Sequence, residues 1–141
     1  MATDSIGQVA LLPIYPRYAR LILTGEKRIE FRKVRFRNQV SHIIMYASSP
    51  VRKIVGYFSV VRINEGAPDE LWARYHSSAG LRRDEFERYY ALCSRGVAVE
   101  IGSVFALPNP VPLARLGKSL APPQGFTYLS AGALEALEVC P

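Results

Sequence analysis

Thr24-Gly25-Glu26-Lys27-Arg28-Ile29-Glu30-Phe31-Arg32 is the stretch from which the rest of the 141-residue chain is best read. Its second half alternates. Ile29 and Phe31 are apolar, whereas Arg28, Glu30 and Arg32 are charged. A period of two predicts a strand with one buried face and one charged, outward face. The residues before it follow the helical period instead, with Tyr18, Leu21 and Ile22 at i, i+3 and i+4. Pro16 suits the first turn of that helix. Thr24-Gly25 closes it, because glycine takes the left-handed conformation that follows a helix. Ahead of the helix, Val9 to Ile14 is apolar and β-prone, with Pro13 at its end or on an edge.

Working outward, His42 to Ala47 and Arg52 to Ile63 read as two further strands joined by the turn Ser48-Ser49-Pro50. Gly56 inside the second marks a bulge or a close backbone approach. Pro68-Asp69-Glu70 opens a helix with Leu71, Trp72 and Tyr75 on its apolar side. A second helix carries Phe86, Tyr89 and Tyr90, without an obvious N-cap residue. Val97 to Leu107 is a strand that Pro108 and Pro110 are expected to stop. Val111 to Leu116 is a short final strand or an extended segment. A loop runs from Pro122-Pro123 through Phe126 and Tyr128, and Ser130 caps a short helix holding Leu134 and Leu137. Adjacent strands without helical crossovers predict a partly antiparallel α+β fold. We expect a small mixed β-barrel of five to six strands with flanking α-helices, since closure removes exposed sheet edges.

The length fits one domain, residues 1–141. No apolar stretch reaches the roughly 18–20 residues of a membrane helix, so no membrane partner is expected. Asp4 and the lack of a basic n-region argue against a secretory leader. Cys93 and Cys140 lie far apart, outside any metal-ligand spacing, which favours a reducing, cytoplasmic setting. The formal net charge of +6 is local. Residues 17–37 hold eight Lys or Arg against Glu26 and Glu30, while the other segments balance. Crowding of like charge on this scale favours an anionic partner over a merely solvated face.

Lys27 at the strand entrance, followed by Arg28, Glu30 and Arg32 on one face, forms the first candidate site, with Arg35 beyond it. Glu30 orients a neighbouring cation by a charge-assisted hydrogen bond, leaving the others for phosphate. The turn Ser48-Ser49-Pro50-Val51-Arg52-Lys53 is the second, offering Ser48 and Ser49 hydroxyls with Arg52 and Lys53. An ordinary hairpin turn reads equally well there. Tyr46, Tyr57 and Tyr128 flank these segments and are candidates to stack on a base, although the first two also suit a core. Trp72, Tyr75, Phe86, Tyr89 and Tyr90 read as core. Asp84, Glu85 and Glu87 read as a solvated helix face paired with Arg82, Arg83 or Arg88.

The pattern GxKxxExR at Gly25, Lys27, Glu30 and Arg32 resembles the signature of the ASCH domain family, a branch of the PUA-like superfamily of small β-barrels. Tyr46–Pro50 with Ile54–Phe58, and Pro122–Leu129, are similar to further segments of that family, so the likeness spans about residues 9–129. The resemblance implies a cleft between barrel and helices that binds RNA or other nucleic acid. One branch, the bacterial N4-acetylcytidine amidohydrolase, uses a Thr-Lys-Glu set. Its Lys corresponds to Lys27, but its Thr falls at Glu30, so that nucleophile is missing here.

Three functions remain open on the sequence. The leading expectation is a nucleic-acid-binding protein that takes RNA or DNA as a single strand or a modified base. The second is a hydrolase in the same cleft, a ribonuclease or nucleoside amidohydrolase, with Lys27 and Glu30 as catalytic residues. The third is a module for an acidic protein partner. No cofactor is expected, and a divalent metal only if the chain is a ribonuclease. Oligomeric state is not legible.

Overall fold

The computed structural model describes residues 8–117 and 120–138. The secretory-leader expectation at the N-terminus and Cys140 therefore lie outside the described residues. Six strands form one mixed sheet in the order β2-β5-β4-β3-β1-β6. Strand β1 (Gln8–Ile14) leads into helix α1 (Pro16–Thr24) and then β2 (Ile29–Arg32). Strands β3 (Val40–Ala47) and β4 (Lys53–Gly66) form the central hairpin. Helices α2 (Pro68–Tyr75) and α3 (Arg83–Tyr89) follow, then β5 (Gly96–Val111), β6 (Thr127–Leu129) and α4 (Gly132–Glu138). The pair β1–β3 is parallel and the other four pairings are antiparallel.

The α+β architecture with six strands and flanking helices is as expected, but the sheet does not close into a barrel. Strands β2 and β6 are its two edges. Arg32 reaches from the β2 edge towards the segment before β6 with its guanidinium. It donates to the Gly125 carbonyl at 2.9 Å and to the Pro13 carbonyl at 3.4 Å.

Three further expectations change. Pro108 and Pro110 do not stop β5, which runs on to Val111 and pairs it with Ile54. Beyond Glu100 only β4 flanks β5, so a residue without an N–H sits there at the cost of no ladder bond on the open side. Val111 to Leu116 is not a final strand: Leu113–Arg115 forms a short 3₁₀ turn. The sixth strand is Thr127–Leu129, within the segment expected to be a loop, and it pairs with Val9–Leu11.

Three apolar clusters hold these elements. The first joins the sheet to α1 through residues such as Leu12, Ile22, Met45 and Phe58. The second lies on the other side of the sheet, under α4, and contains Tyr46, Tyr57 and Leu137. The third docks α2 and α3 on β2 and β5, with Phe86 edge-on to Phe31 at a centroid distance of 4.8 Å. Burying a side chain of this size stabilises by about 1.5–3 kcal/mol. Gly56 meets both expectations: it sits at a register shift, and a Cβ there would lie 2.6 Å from the Phe105 carbonyl oxygen.

Candidate nucleic-acid cleft

The turn after α1 sets the position of Lys27. Gly25 takes the left-handed conformation at φ 87° and donates to Ile22 O. Lys27 N then bonds Leu21 O, and Arg28 N bonds Ser78 O at 2.8 Å. The chain is thereby pressed against the turn that precedes α3. The Lys27 stem lies on Gly80, where a Cβ would stand only 2.8 Å from Lys27 Cβ. Gly80 is itself at φ +68°, a region that disfavours any side chain.

Lys27 is consequently 3% exposed and Glu30 7%. The outward, solvated strand face expected for Glu30 is a covered one. Alternation places it correctly opposite Ile29 and Phe31, but the far side of the strand faces a cleft rather than bulk water. Lys27 Nζ donates to the Ala79 carbonyl at 2.5 Å and stands 4.0 Å from Glu30 Oε1. Arg32 Nη1 donates to Glu30 Oε2 at 3.2 Å. Burial lowers the pKa of Lys27, with Glu30 and then Glu85 opposing that shift.

Lys27, Glu30, Arg32 and Ser48 all line one cleft of about 790 Å³. Ser48 reaches its rim because its N–H and hydroxyl both bond Ile14 O at the end of β1. Arg17, Lys33 and Arg88 line the cleft as further cations, and Glu85 as its second carboxylate. Tyr15, Tyr18, Tyr89 and Phe126 supply aromatic surface.

Several of these residues were not legible as a site. Glu85 belongs to no solvated face, unlike Asp84 and Glu87, which pair with Arg82 and Arg83 at 3.0 Å. One Glu85 oxygen accepts from Arg82 N, which caps α3, and the other accepts from Arg17 at 2.5 Å and Tyr18 Oη at 3.3 Å. The Arg82 N–H and the Arg17 guanidinium together hold the Glu85 carboxyl below its usual pKa. Burial raises the pKa of Tyr18, whose ring lies 5.2 Å from Lys27 Nζ. The only sequence signal for this clasp was the position of Glu85 three residues into a helix that lacked a cap. Tyr89, read as core, is half-buried on the cleft wall, whereas Phe86 and Tyr90 are core at 2% and 3% exposure.

The remaining candidates lie elsewhere. Arg28 is exposed and donates to Ile101 O, and Arg35 pairs with Glu65 at 3.2 Å. Ser49, Arg52 and Lys53 are exposed in a turn that satisfies itself, with Arg52 Nε donating to Ser49 Oγ at 3.0 Å. Tyr46 and Tyr57 are buried in the second cluster. Tyr57 donates to Glu138 at 2.6 Å, and burial reinforced by that carboxylate pushes its hydroxyl up to about 12. Tyr128 accepts from the N–H groups of Arg37 and Asn38 and packs on Phe126.

A family model described as the ASCH domain matches residues 12–101. The chain belongs to the ASCH domain family. The crystal structure of ASCH from Zymomonas mobilis superposes with a TM-score of 0.84 at 25% identity, covering 92% of this chain and 93% of that one. The PUA-like α+β expectation therefore holds for this ASCH domain. An "ASCH domain-containing ribonuclease" of Zymomonas mobilis is 27% identical over 124 residues, 85% of this chain and 83% of that protein. The large ribosomal subunit protein uL22 of Ureaplasma parvum serovar 3 is 25% identical over 127 residues, but the ASCH chain spans only 40% of its length.

Proposed function

We propose that this ASCH domain binds RNA as a single strand, with one unstacked nucleotide entering the cleft. The observation that carries the reading is the convergence of Lys27, Glu30, Arg32 and Ser48 on one cleft whose lining holds three more cations. Its volume lies within the roughly 300–1,000 Å³ of small-ligand sites, which suits a splayed nucleotide and not a duplex. Arg17, Lys33 and Arg88 meet the flanking phosphates, and a tyrosine of the wall stacks on the base. Tyr18 and Tyr89 take the stacking role that the sequence suggested for Tyr46, Tyr57 and Tyr128. No helix among the described residues is long and apolar enough to cross a membrane. A cytoplasmic location is part of the proposal.

The test is a titration of labelled single-stranded RNA and DNA at 50 and 200 mM salt. Affinity should fall steeply with salt as phosphate counterions are released. Lys33→Glu with Arg88→Glu should weaken binding further. Affinity that ignores both salt and this double substitution overturns the reading.

A second reading is favoured by the relative named as a ribonuclease. Here Glu30 accepts the proton of the 2′-hydroxyl as that oxygen attacks the adjacent phosphorus, the P–O5′ bond breaks with the leaving 5′-oxygen taking a proton from water, and Lys27 and Arg32 stabilise charge developing on the phosphoryl oxygens. The cleft lining holds two carboxylates, of which Glu30 Oε2 accepts from Arg32 and Glu85 Oε2 accepts from Arg17. End-labelled RNA incubated with and without chelator separates the readings. Cleavage abolished by Glu30→Gln supports hydrolysis, and intact RNA leaves binding alone.

A further inference from the structure

Glu30 has two carboxylate oxygens, and the fold uses one. Oε2 accepts from Arg32 at 3.2 Å. Among the described residues no hydrogen bond reaches Oε1, and Lys27 Nζ stands 4.0 Å from it. The Glu30 side chain is 9% exposed. Among the described residues no fully buried side-chain oxygen lacks a partner, so Oε1 keeps its opening to the cleft that Glu30 lines. An ionised carboxylate only accepts hydrogen bonds, and one largely withdrawn from water gains strongly from a ligand N–H. Lys27 is its complement. Its ammonium has three donors, and one of them is spent on Ala79 O.

Nζ, Oε1 and Oε2 thus present a donor, an acceptor and a second acceptor in that order, with Arg32 on the far side. We propose that the cleft floor reads the Watson–Crick edge of an unstacked guanine. Lys27 Nζ donates to O6, Glu30 Oε1 accepts from N1–H, and Oε2 accepts from the 2-amino group. Carboxylate oxygens hold two hydrogen bonds each, so Oε2 keeps Arg32 as well. Guanine alone among the four bases offers an acceptor followed by two donors along this edge. Adenine and cytosine supply one donor there, and uracil sets a second carbonyl against Oε2. The inference rests on the RNA-binding reading and adds the identity of the base.

Fluorescence anisotropy with labelled uridine octamers tests it. One central position carries guanosine, inosine, adenosine, cytidine or uridine. The guanosine octamer should bind about tenfold tighter than the adenosine, cytidine and uridine ones. Inosine keeps O6 and N1–H but lacks the 2-amino group, so it should fall between. Glu30→Gln should level the series, while Arg88→Ala should weaken every octamer alike and keep the ranking. If Glu30→Gln does not fold by circular dichroism, the ranking on the unsubstituted protein decides. Salt-dependent binding with equal affinity for all five octamers overturns the guanine inference and leaves RNA binding standing. Failure of every octamer to bind at low salt overturns both.

Discussion

Residues 25–32 and residues 46–53 are built alike and end differently. Each combines a turn, a strand end and cations beside a hydroxyl or carboxylate. In the first, Lys27 is 3% exposed and Glu30 7%, on the wall of a cleft. In the second, Ser49, Arg52 and Lys53 stand in solvent, and only Ser48 reaches the cleft. The residue types do not explain this. What differs is the cover. The 76–80 turn and α3 close over the first segment, with Phe86 packed on Phe31 and Ala79 O accepting from Lys27 Nζ. A site here is a charged strand plus something that removes it from water.

Taking the cover away should break the contrast most severely. Phe86→Ala empties the centre of the third cluster and should cost about 3–5 kcal/mol in urea unfolding. Loss below 1 kcal/mol would mean that α3 is not held on β2 through this ring. Gly80→Ala attacks the same cover at one atom. It places a Cβ against the Lys27 stem in a left-handed conformation, and should cost about 1–3 kcal/mol. A drop in melting temperature with a parallel loss of RNA affinity is expected. Unchanged values in both would show that Lys27 does not depend on the missing side chain.

Lys27→Met sharpens the contrast because stability and function should move in opposite directions. Burial lowers the Lys27 pKa below its ordinary 10.5. The unfolded chain therefore holds this proton more tightly, and stability of the unsubstituted protein falls as pH drops from 10.5 towards the lowered value. Methionine fills similar space without a charge, and Arg32 remains as the partner of Glu30. The variant should be more stable at pH 7, with the gap closing as pH rises towards 10.5. RNA affinity should fall about tenfold. Denaturation at pH 7 and pH 10 beside one titration checks all three. A variant less stable at pH 7 would mean that the ion pair outweighs its desolvation cost.

Much of this arrangement is legible in the sequence. The period of two at Arg28–Arg32, the helical period before it and the role of Gly25 are local properties, and they locate β2, α1 and the turn. Periodicity separates the two faces of a strand, but it does not say what covers each. That is why Glu30 reads as exposed. The Arg17–Tyr18–Glu85 clasp joins residues nearly seventy positions apart, and such contacts leave no local trace. Strand β6 has three residues and no alternation long enough to register, so it reads as loop. Barrel closure fails as an expectation because hiding edges is only a general preference, and here β2 and β6 stand at the two ends of the sheet. Tyr46, Tyr57 and Tyr128 illustrate the same limit, since aromatic residues near a site in sequence are packed in the core or pin a loop.

The smallest effect belongs to the uncovered segment. Arg52→Ala with Lys53→Ala removes two exposed cations from the 48–53 turn while sparing Ser48. Arg52 adopts φ 55°, so alanine there keeps the same backbone demand and loses only the bond to Ser49 Oγ. Stability should change by less than about 0.5 kcal/mol, as for most surface substitutions. RNA affinity should fall less than about threefold. That loss should vanish at 200 mM salt, because solvated charges act only through a screened, long-range field. The base ranking should not move. A tenfold loss that persists at high salt would place direct contacts on this turn and make the two segments halves of one binding surface.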